Sequence, residues 1–401
     1  ITAADFVRGR YGNKWLALAV AITGIVATMP YIALQLVGIQ VVIAGMGVES
    51  RGLMGDLPLI IAFVILAAFT YTSGLRAPAA IAIVKDLMIY ITVIAAVIIV
   101  PIELGGYGKI FAAVPAQKLT LAPPGPGTLG SYSAYATLAL GSALALFLYP
   151  HSVTGVLSSS SRHVIRRNSA LLPAYSFLLG LIALLGFMAI AAGVDKAPQF
   201  APYFQQYKAN FAVPALFLHI FPAWFAGFAF AAIAIGALVP AAIMSIAAAN
   251  LWTRNVYREF INPRCTLARE AQMAKWVSLI VKFGALLFII GLSTQYAIQL
   301  QLLGGVWIIQ TLPAVIFGLY TRWLDAWALL IGWAAGIVCG TWMYWVAGTT
   351  FPLHLGGLTI PGYAAFYSLI VNIAVTVVLT LIFGLLGAVR SPDQTSAADY
   401  V

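Results

Sequence analysis

The sequence predicts an all-α polytopic membrane protein, and three observations carry that prediction. Of the 401 residues 62% are hydrophobic and only 8% are charged, against about 25% charged in soluble domains. The mean hydropathy is +0.99. The apolar residues also fall into runs close to the ~20 residues a helix needs to cross a bilayer. A net charge of +10 would point to nucleic acid in a soluble chain; in a membrane chain its spread over the loops carries the meaning, and no nucleic-acid partner is expected. Cys265 and Cys339, the only cysteines, lie in different segments without metal-ligand company, which excludes a disulfide framework and a zinc site. The chain begins at Ile1 with no basic n-region or cleavage site, so no signal peptide is visible and an N-terminal piece is expected to precede it.

Ten spans are expected, at 15–47, 57–73, 77–102, 134–156, 170–193, 223–252, 275–293, 296–320, 325–347 and 363–388. Counting bases in alternate connections gives their orientation. If the first connection is cytoplasmic, fourteen of the 21 Lys and Arg lie inside, five lie outside, and Lys85 and Lys282 are left within helices. The positive-inside rule then puts both ends in the cytoplasm. The long outer loops 103–134 and 195–222 are rich in Pro, Gly and aromatics, read as a structural lid, and 213–219 reads as a short surface helix.

The stretch 135–155, YATLALGSALALFLYPHSVTG, is the one the rest is organised around. Every backbone N–H and C=O in hydrocarbon must be paired internally, so a helix broken at Pro150 among polar side chains is tolerated only against protein or a wet cavity. That makes Tyr149, His151, Ser152 and Thr154 candidate binding residues. The alternative is a helix that ends at Pro150 with His151 among headgroups. Gly332, Gly336 and Gly340 repeat every four residues, which suits close approach of a neighbouring backbone, inside the bundle or at a dimer seam. The segment 227–246 is dominated by Ala and Gly and should lie centrally, which draws attention to Ser245. Its hydroxyl can bond back to its own helix. With the carbonyl freed by Pro240 and the carbonyls of Ala241 and Ala242 on the same face, it can also supply half of a shell for a hard cation.

These motifs carry a resemblance. Ile1-Thr2…Phe6…Arg10-Tyr11-Gly12, Pro30-Tyr31…Gln35-Leu36-Val37-Gly38, Gly74-Leu75-Arg76-Ala77, Pro150-His151, Ala241-Ala242-Ile243-Met244-Ser245 and Thr253…Tyr257 resemble the sodium:solute symporter family, in register over essentially the whole chain. The stretches around 74–86, 145–162 and 237–260 most resemble its bacterial monocarboxylate permease branch. The resemblance implies an inverted-repeat transporter fold of five plus five helices with accessory C-terminal helices. It assigns 1–102 to a first repeat that lacks its opening helices, 103–133 to an extracellular loop, 134–320 to the complete second repeat, 321–390 to two accessory helices and 391–401 to a cytoplasmic tail. Three helices are thus expected before Ile1, one of them holding half of the cation site. Localisation in a bacterial or archaeal plasma membrane follows.

The resemblance also marks departures. The sodium-binding helix of the family carries two adjacent hydroxyls, and here Ile246 follows Ser245, which weakens the shell around sodium and makes proton coupling an open alternative. Ala242 and Ser245 remain the expected cation ligands. Asn255 stands where many members have Asp. Another common Asp falls at Ala82, and Asp86, one turn on, is a candidate for the cation or proton pathway, or else a vestibule residue beside a snorkelling Lys85. Lys282 is expected to snorkel as well. His151 can titrate near neutrality but reads better as a site or gate residue. Gln301 lies near the substrate glutamine of sugar-carrying relatives and Gln310 follows on the same helix; Gly155 replaces an Arg common in the family. Hydroxyls, amides and the positive end of a half-helix suit a small carboxylate.

The expected function is therefore cation-coupled symport of a small monocarboxylate such as pyruvate or lactate by alternating access, with sodium or a proton as coupling ion, no organic cofactor, and the lipid bilayer and a small organic anion as partners. The alternatives are an amino-acid or sugar symporter and a transporter-like sensor. An enzyme is not expected, because four His and eleven acids, nearly all in loops, form no catalytic constellation.

Overall fold

The computed structural model describes residues 2–48, 52–291, 297–388 and 391–396. Helices occupy all ten expected positions: α2 (Lys14–Gly45), α3 (Gly52–Ser73), α4 (Arg76–Glu103), the pair α7 (Gly130–Leu146) and α8 (Pro150–Leu157), α9 (Arg162–Ala191), α12 (Ala223–Trp252), α13 (Leu267–Gly291), α14 (Ala297–Ile308), α16 (Ala326–Ala347) and α17 (Ala364–Leu385). Among the described residues seven helices are long and apolar enough to cross a membrane, or eight with the bent α7–α8 pair taken as one span. The helix α13 carries Arg269, Glu270 and Lys275 in its first turns.

Shorter helices fill the connections: α1 (Ala3–Tyr11), α5 (Tyr107–Ala113), α6 (Ala116–Leu119), α10 (Ala201–Tyr207), α11 (Ala212–Ile220) and α15 (Gly318–Tyr320). The expected surface helix at 213–219 is α11, but Ala215, Leu216 and Phe217 are buried, so it packs inward.

Local chemistry sets the ends. Thr2 and Asp5 form a reciprocal capping box on α1, and Gly12, at φ 61, closes that helix. The Asn13 side chain caps α2 by accepting from the Trp15 and Leu16 N–H groups. Asp325 does the same for α16. Pro150 takes the first position of α8, where its missing N–H costs nothing, and the axis turns by 46° from α7.

The core lies in two clusters that share α2. One joins the second half of α2, from Ile32 to Ala44, to α4, α11 and α12. The other joins the first half, from Leu16 to Ala27, to α1, the α7–α8 break, α14, α16 and α17. Lipid tails are as apolar as these side chains, so van der Waals fit and interhelical hydrogen bonds hold the bundle together. The glycine repeat shows the fit. A Cβ on Gly332 would overlap Thr376 Oγ1, one on Gly336 would overlap Gln310 Oε1, and one on Gly340 would come 2.6 Å from Val306 Cγ1. The repeat is thus an internal seam between α16, α14 and α17.

Two poles are defined by contacts. At one, α1 is bonded to residues 254–255, and Arg10 donates to Asp393 Oδ2 (2.7 Å) and to the Thr321 carbonyl (3.0 Å). At the other lies an element absent from the sequence reading, a hairpin of β1 (Thr350–Leu355) and β2 (Leu358–Tyr363). Its two-residue loop is Gly356-Gly357, with Gly356 at φ 59. Thr359 N–H donates to the Gly127 carbonyl (2.8 Å) and Ser133 Oγ to the Pro361 carbonyl (2.7 Å), so the hairpin seals the entry to α7.

Candidate functional site

The break between α7 and α8 is seated where three helices meet. A Cβ on Gly24 of α2 would come 2.8 Å from Leu251 Cδ1 of α12 and 2.9 Å from Pro150 Cγ, so only glycine allows this approach. Gly304 does the same on α14, where a Cβ would meet the Ala27 carbonyl at 2.7 Å and the Tyr149 hydroxyl at 3.4 Å.

The rings of Tyr149 and His151 lie 5.5 Å apart, and Tyr31 of α2 stands edge-on to both, at 5.4 Å and 5.5 Å. Gln301, one turn before Gly304 on α14, lies beside the Tyr149 hydroxyl, just outside hydrogen-bond geometry. The structure thus gathers Tyr149, His151 and Gln301, and adds Tyr31, which the sequence reading had only as part of a motif. Tyr149 Oη and His151 Nδ1 are both buried without a hydrogen-bond partner. An unsatisfied buried polar atom costs about 1–3 kcal/mol, so the pair is chemically incomplete. A hydroxyl and an imidazole edge at the first turn of a helix suit a small acceptor such as a carboxylate or carbonyl.

Thr154 stands apart from this group. It faces a cavity of about 10 Å³, room for a single water, shared with Thr2, Thr311 and Gly24. Ser152 is half-buried on the first turn of α8, where its N–H bonds the Tyr149 carbonyl at 3.0 Å.

Ser245 is fully buried, and its Oγ donates to the Ala242 carbonyl at 2.8 Å. The two expected cation ligands are therefore in contact, with lone pairs on both oxygens, and Ile246 beside them adds none. Ser245 lies six residues from Leu251, about 9 Å along the axis, so this pair sits one to two turns from the Gly24–Pro150–Leu251 junction.

The other titratable groups divide. Asp86 of α4 stands within ion-pair distance of Lys85 (2.6 Å) but off hydrogen-bond geometry, and its side chain is 41% exposed. It lies one turn before Ile89, whose Cδ1 comes 3.6 Å from a Cβ placed on Gly236, so it shares the depth of Pro240. Lys282 does not snorkel: it is buried and donates to Ser278 Oγ at 2.7 Å on its own helix.

The pole beside α1 carries a network that sequence spacing did not reveal. Beyond Trp252 the helix widens into a π-helical run, Thr253–Ile261, which turns consecutive polar residues toward α1 and α13. Arg254 Nε donates to Asp5 Oδ2 (2.8 Å) and Asn255 Nδ2 to Asp5 Oδ1 (2.9 Å). Thr2 Oγ1 donates to Asn255 Oδ1 (2.9 Å), while Arg254 and Arg258 share Glu270 at 3.1 Å and 3.0 Å. Burial raises the Asp5 pKa, but the Arg254 charge and these hydrogen bonds outweigh it and hold the carboxyl below its ordinary 3.8.

Residues 1–340 match the family model described as the sodium:solute symporter family. The chain belongs to that family. It is 53% identical over 398 residues, 98% of its own length and 77% of the relative's, to a monocarboxylate transport permease protein of Rhizobium johnstonii. It is 31% identical over 393 residues to YodF, an uncharacterized symporter of Bacillus subtilis, covering 95% of this chain and 73% of that one. A solved sodium-coupled sialic acid symporter, in a substrate-bound outward-open state, superposes with a TM-score of 0.71 at 14% identity, over 97% of this chain and 78% of that one. That likeness shows the inverted-repeat transporter fold. The symporter is thus an integral membrane transporter of a small solute and not an enzyme, and its family supports sodium as the coupling ion.

Proposed function

We propose that this symporter imports small monocarboxylates such as pyruvate or lactate by alternating access. The observation that carries the reading is the pair of orphaned buried atoms, Tyr149 Oη and His151 Nδ1, at the start of the α8 half-helix with Gln301 opposite. Two hydrogen bonds from these groups to a carboxylate complete both, and the helix dipole favours its charge. The 53% identity to a permease named for monocarboxylate transport supports the same class.

In this reading Ser245 and the Ala242 carbonyl give one half of the coupling-ion site, and its nearness to the Pro150 junction couples ion to substrate. Asp86, at the depth of Pro240, belongs to the ion's exit route, Ser152 lines the substrate's path beyond the break, and Thr154 flanks that path from the water-sized cavity it shares with Thr2 and Thr311. The pole that holds α1 and the Arg254 network faces the cytoplasm of a bacterial plasma membrane.

The deciding experiment is uptake of labelled pyruvate into proteoliposomes carrying the full-length protein, under a sodium gradient or a proton gradient imposed alone. Accumulation is expected under sodium and is expected to fall at least tenfold in Tyr149→Phe and His151→Ala. Accumulation driven by protons alone would move the coupling role away from Ser245. No accumulation under either gradient would refute the monocarboxylate assignment and send the same assay to amino acids and sugars.

A further inference from the structure

At the pole of the long loops, the last turns of α9 and the α10–α11 segment enclose a groove of about 590 Å³. Its floor is apolar, with Gly186, Phe204 and Val213, and its rim carries Lys118, Asp195 and Lys208. The helix α9 ends at Ala191, so Gly186 lies five residues, about 8 Å, below that end. The floor therefore lies at the depth of acyl chains and the rim at the depth of headgroups.

The rim charges are placed with some insistence. Lys118 comes from α6 and Lys208 from the end of α10, ninety residues apart, and they are two of the four bases on this pole's loops among the described residues. Among the described residues neither lysine, nor Asp195, is in an ion pair with a protein side chain. Lys208 is also the one described non-glycine residue with a left-handed backbone, at φ 53. The stack of Tyr203 on Phe211 (4.7 Å between centroids), with Phe204 edge-on to Phe211 at 5.8 Å, fixes the kink that presents it.

We propose that this groove binds one singly anionic glycerophospholipid of the phosphatidylglycerol type. Two lysines and one aspartate leave a rim charge of +1, which one phosphodiester neutralises. Lys118 and Lys208 hold the phosphate, the headgroup hydroxyls donate to Asp195, and an acyl chain covers Gly186, Phe204 and Val213. A second negative charge on the lipid would face Asp195, which disfavours doubly charged lipids. The site is independent of the substrate, since none of its residues lies near the α7–α8 break.

Native mass spectrometry of the delipidated full-length protein, titrated separately with phosphatidylglycerol, phosphatidylethanolamine and phosphatidylcholine, tests it. One tightly retained phosphatidylglycerol per protomer is expected. Lys118→Gln with Lys208→Gln should weaken that retention about tenfold, the loss expected for charge-assisted contacts, while Lys196→Gln, outside the groove lining, leaves it unchanged. A Cβ at Gly186 meets nothing within 4 Å, so Gly186→Phe fills the groove without displacing protein and should reduce retention of all three lipids. Equal retention of phosphatidylethanolamine or phosphatidylcholine by the unmodified protein would overturn the proposal. So would unchanged retention in the double lysine variant, or a groove closed by another polypeptide segment.

Discussion

Asn255 shows how one amide replaces an acid. Its Nδ2 donates to Asp5 Oδ1 while its Oδ1 accepts from Thr2 Oγ1, so the position requires a donor toward a carboxylate that Arg254 already neutralises. A second carboxylate there would face Asp5 with one arginine fewer than the pair needs. Asn255→Asp is therefore expected to lower stability at neutral pH by about 1–3 kcal/mol, with part of the loss recovered on acidification toward pH 5 as one of the two acids protonates. The unmodified protein should behave oppositely. The Asp5 carboxyl is held below 3.8, so its contribution is complete above that pH and disappears as pH falls through the lower folded value. Detergent-solubilised melting curves from about pH 2.5 to 8 check both, the window reaching below the ordinary carboxylate value at which the Asp5 contribution is lost. A monotonic fall of the variant's melting temperature toward acid would show that Asn255 does not answer Asp5. A second residue-scale prediction concerns Ile246. Restoring a hydroxyl with Ile246→Ser adds an oxygen beside Ser245 and should tighten half-saturation by sodium about tenfold in uptake assays, whereas an unchanged value would place the ion elsewhere.

The helix α14 ends in a 3-10 turn, Ile309–Thr311, followed by a π run, Pro313–Phe317. Such a change of winding frees backbone carbonyls that hydrocarbon cannot satisfy. Asn372 of α17 supplies the missing donor, giving its Nδ2 to the Gln310 carbonyl (2.8 Å) and to Gln310 Oε1 (3.1 Å), while Gln310 Nε2 donates to Ser368 Oγ (2.8 Å). Ser368, Asn372, Thr376 and Thr380 recur every four residues on one face of α17, all of them buried, opposite the glycines of α16. Asn372→Leu should cost about 1–3 kcal/mol by leaving the Gln310 groups unpaired. Gly336→Leu should cost more, since its side chain must displace Gln310 itself, and both should lower the melting temperature without altering sodium half-saturation. A Gly336→Leu protein that melts normally but loses a dimer would instead place the repeat on an interface. The glycine spacing was readable from the sequence, and so were the long apolar helices and the Pro150 break, because each is a periodic or compositional signal. The α17 ladder was not, since four polar residues in an apolar helix gain meaning only from what faces them. The β1–β2 hairpin did leave a mark, an alternating run around Gly356-Gly357, but hydropathy alone absorbs those residues into loop.

Across the whole molecule the candidate site was legible in its residues and not in its grouping. Tyr149, His151 and Gln301 were nameable from a helix break and a resemblance, but Tyr31 joins them only because Gly24 and Gly304 bring α2 against α8 and α14. The same long-range contacts fix which loops share a side. Residues 2–12 bond to 254–255 and 270 is tied to 254, while Asp393 pairs with Arg10 and Arg322, so these segments lie at one pole. Loop 125–133 meets the hairpin at the other. Contacts of this kind set relative sidedness, and charge sets the absolute side. Fourteen of the 21 bases fall in the connections that the sequence assigns to the first pole, so the proposed orientation, with that pole in the cytoplasm, is the one the positive-inside rule predicts. In a Cys265→Ala, Cys339→Ala background, Ser159→Cys should react with a membrane-impermeant maleimide only after the cells are opened, and Ala122→Cys should react in intact cells. With the α7–α8 pair taken as one span, the two positions should give opposite answers whichever way the protein lies. The reverse pattern would leave the fold intact and invert the transporter. The α1 network would then face the external medium, where Asp5 and Arg254 would meet whatever pH and salt the surroundings impose.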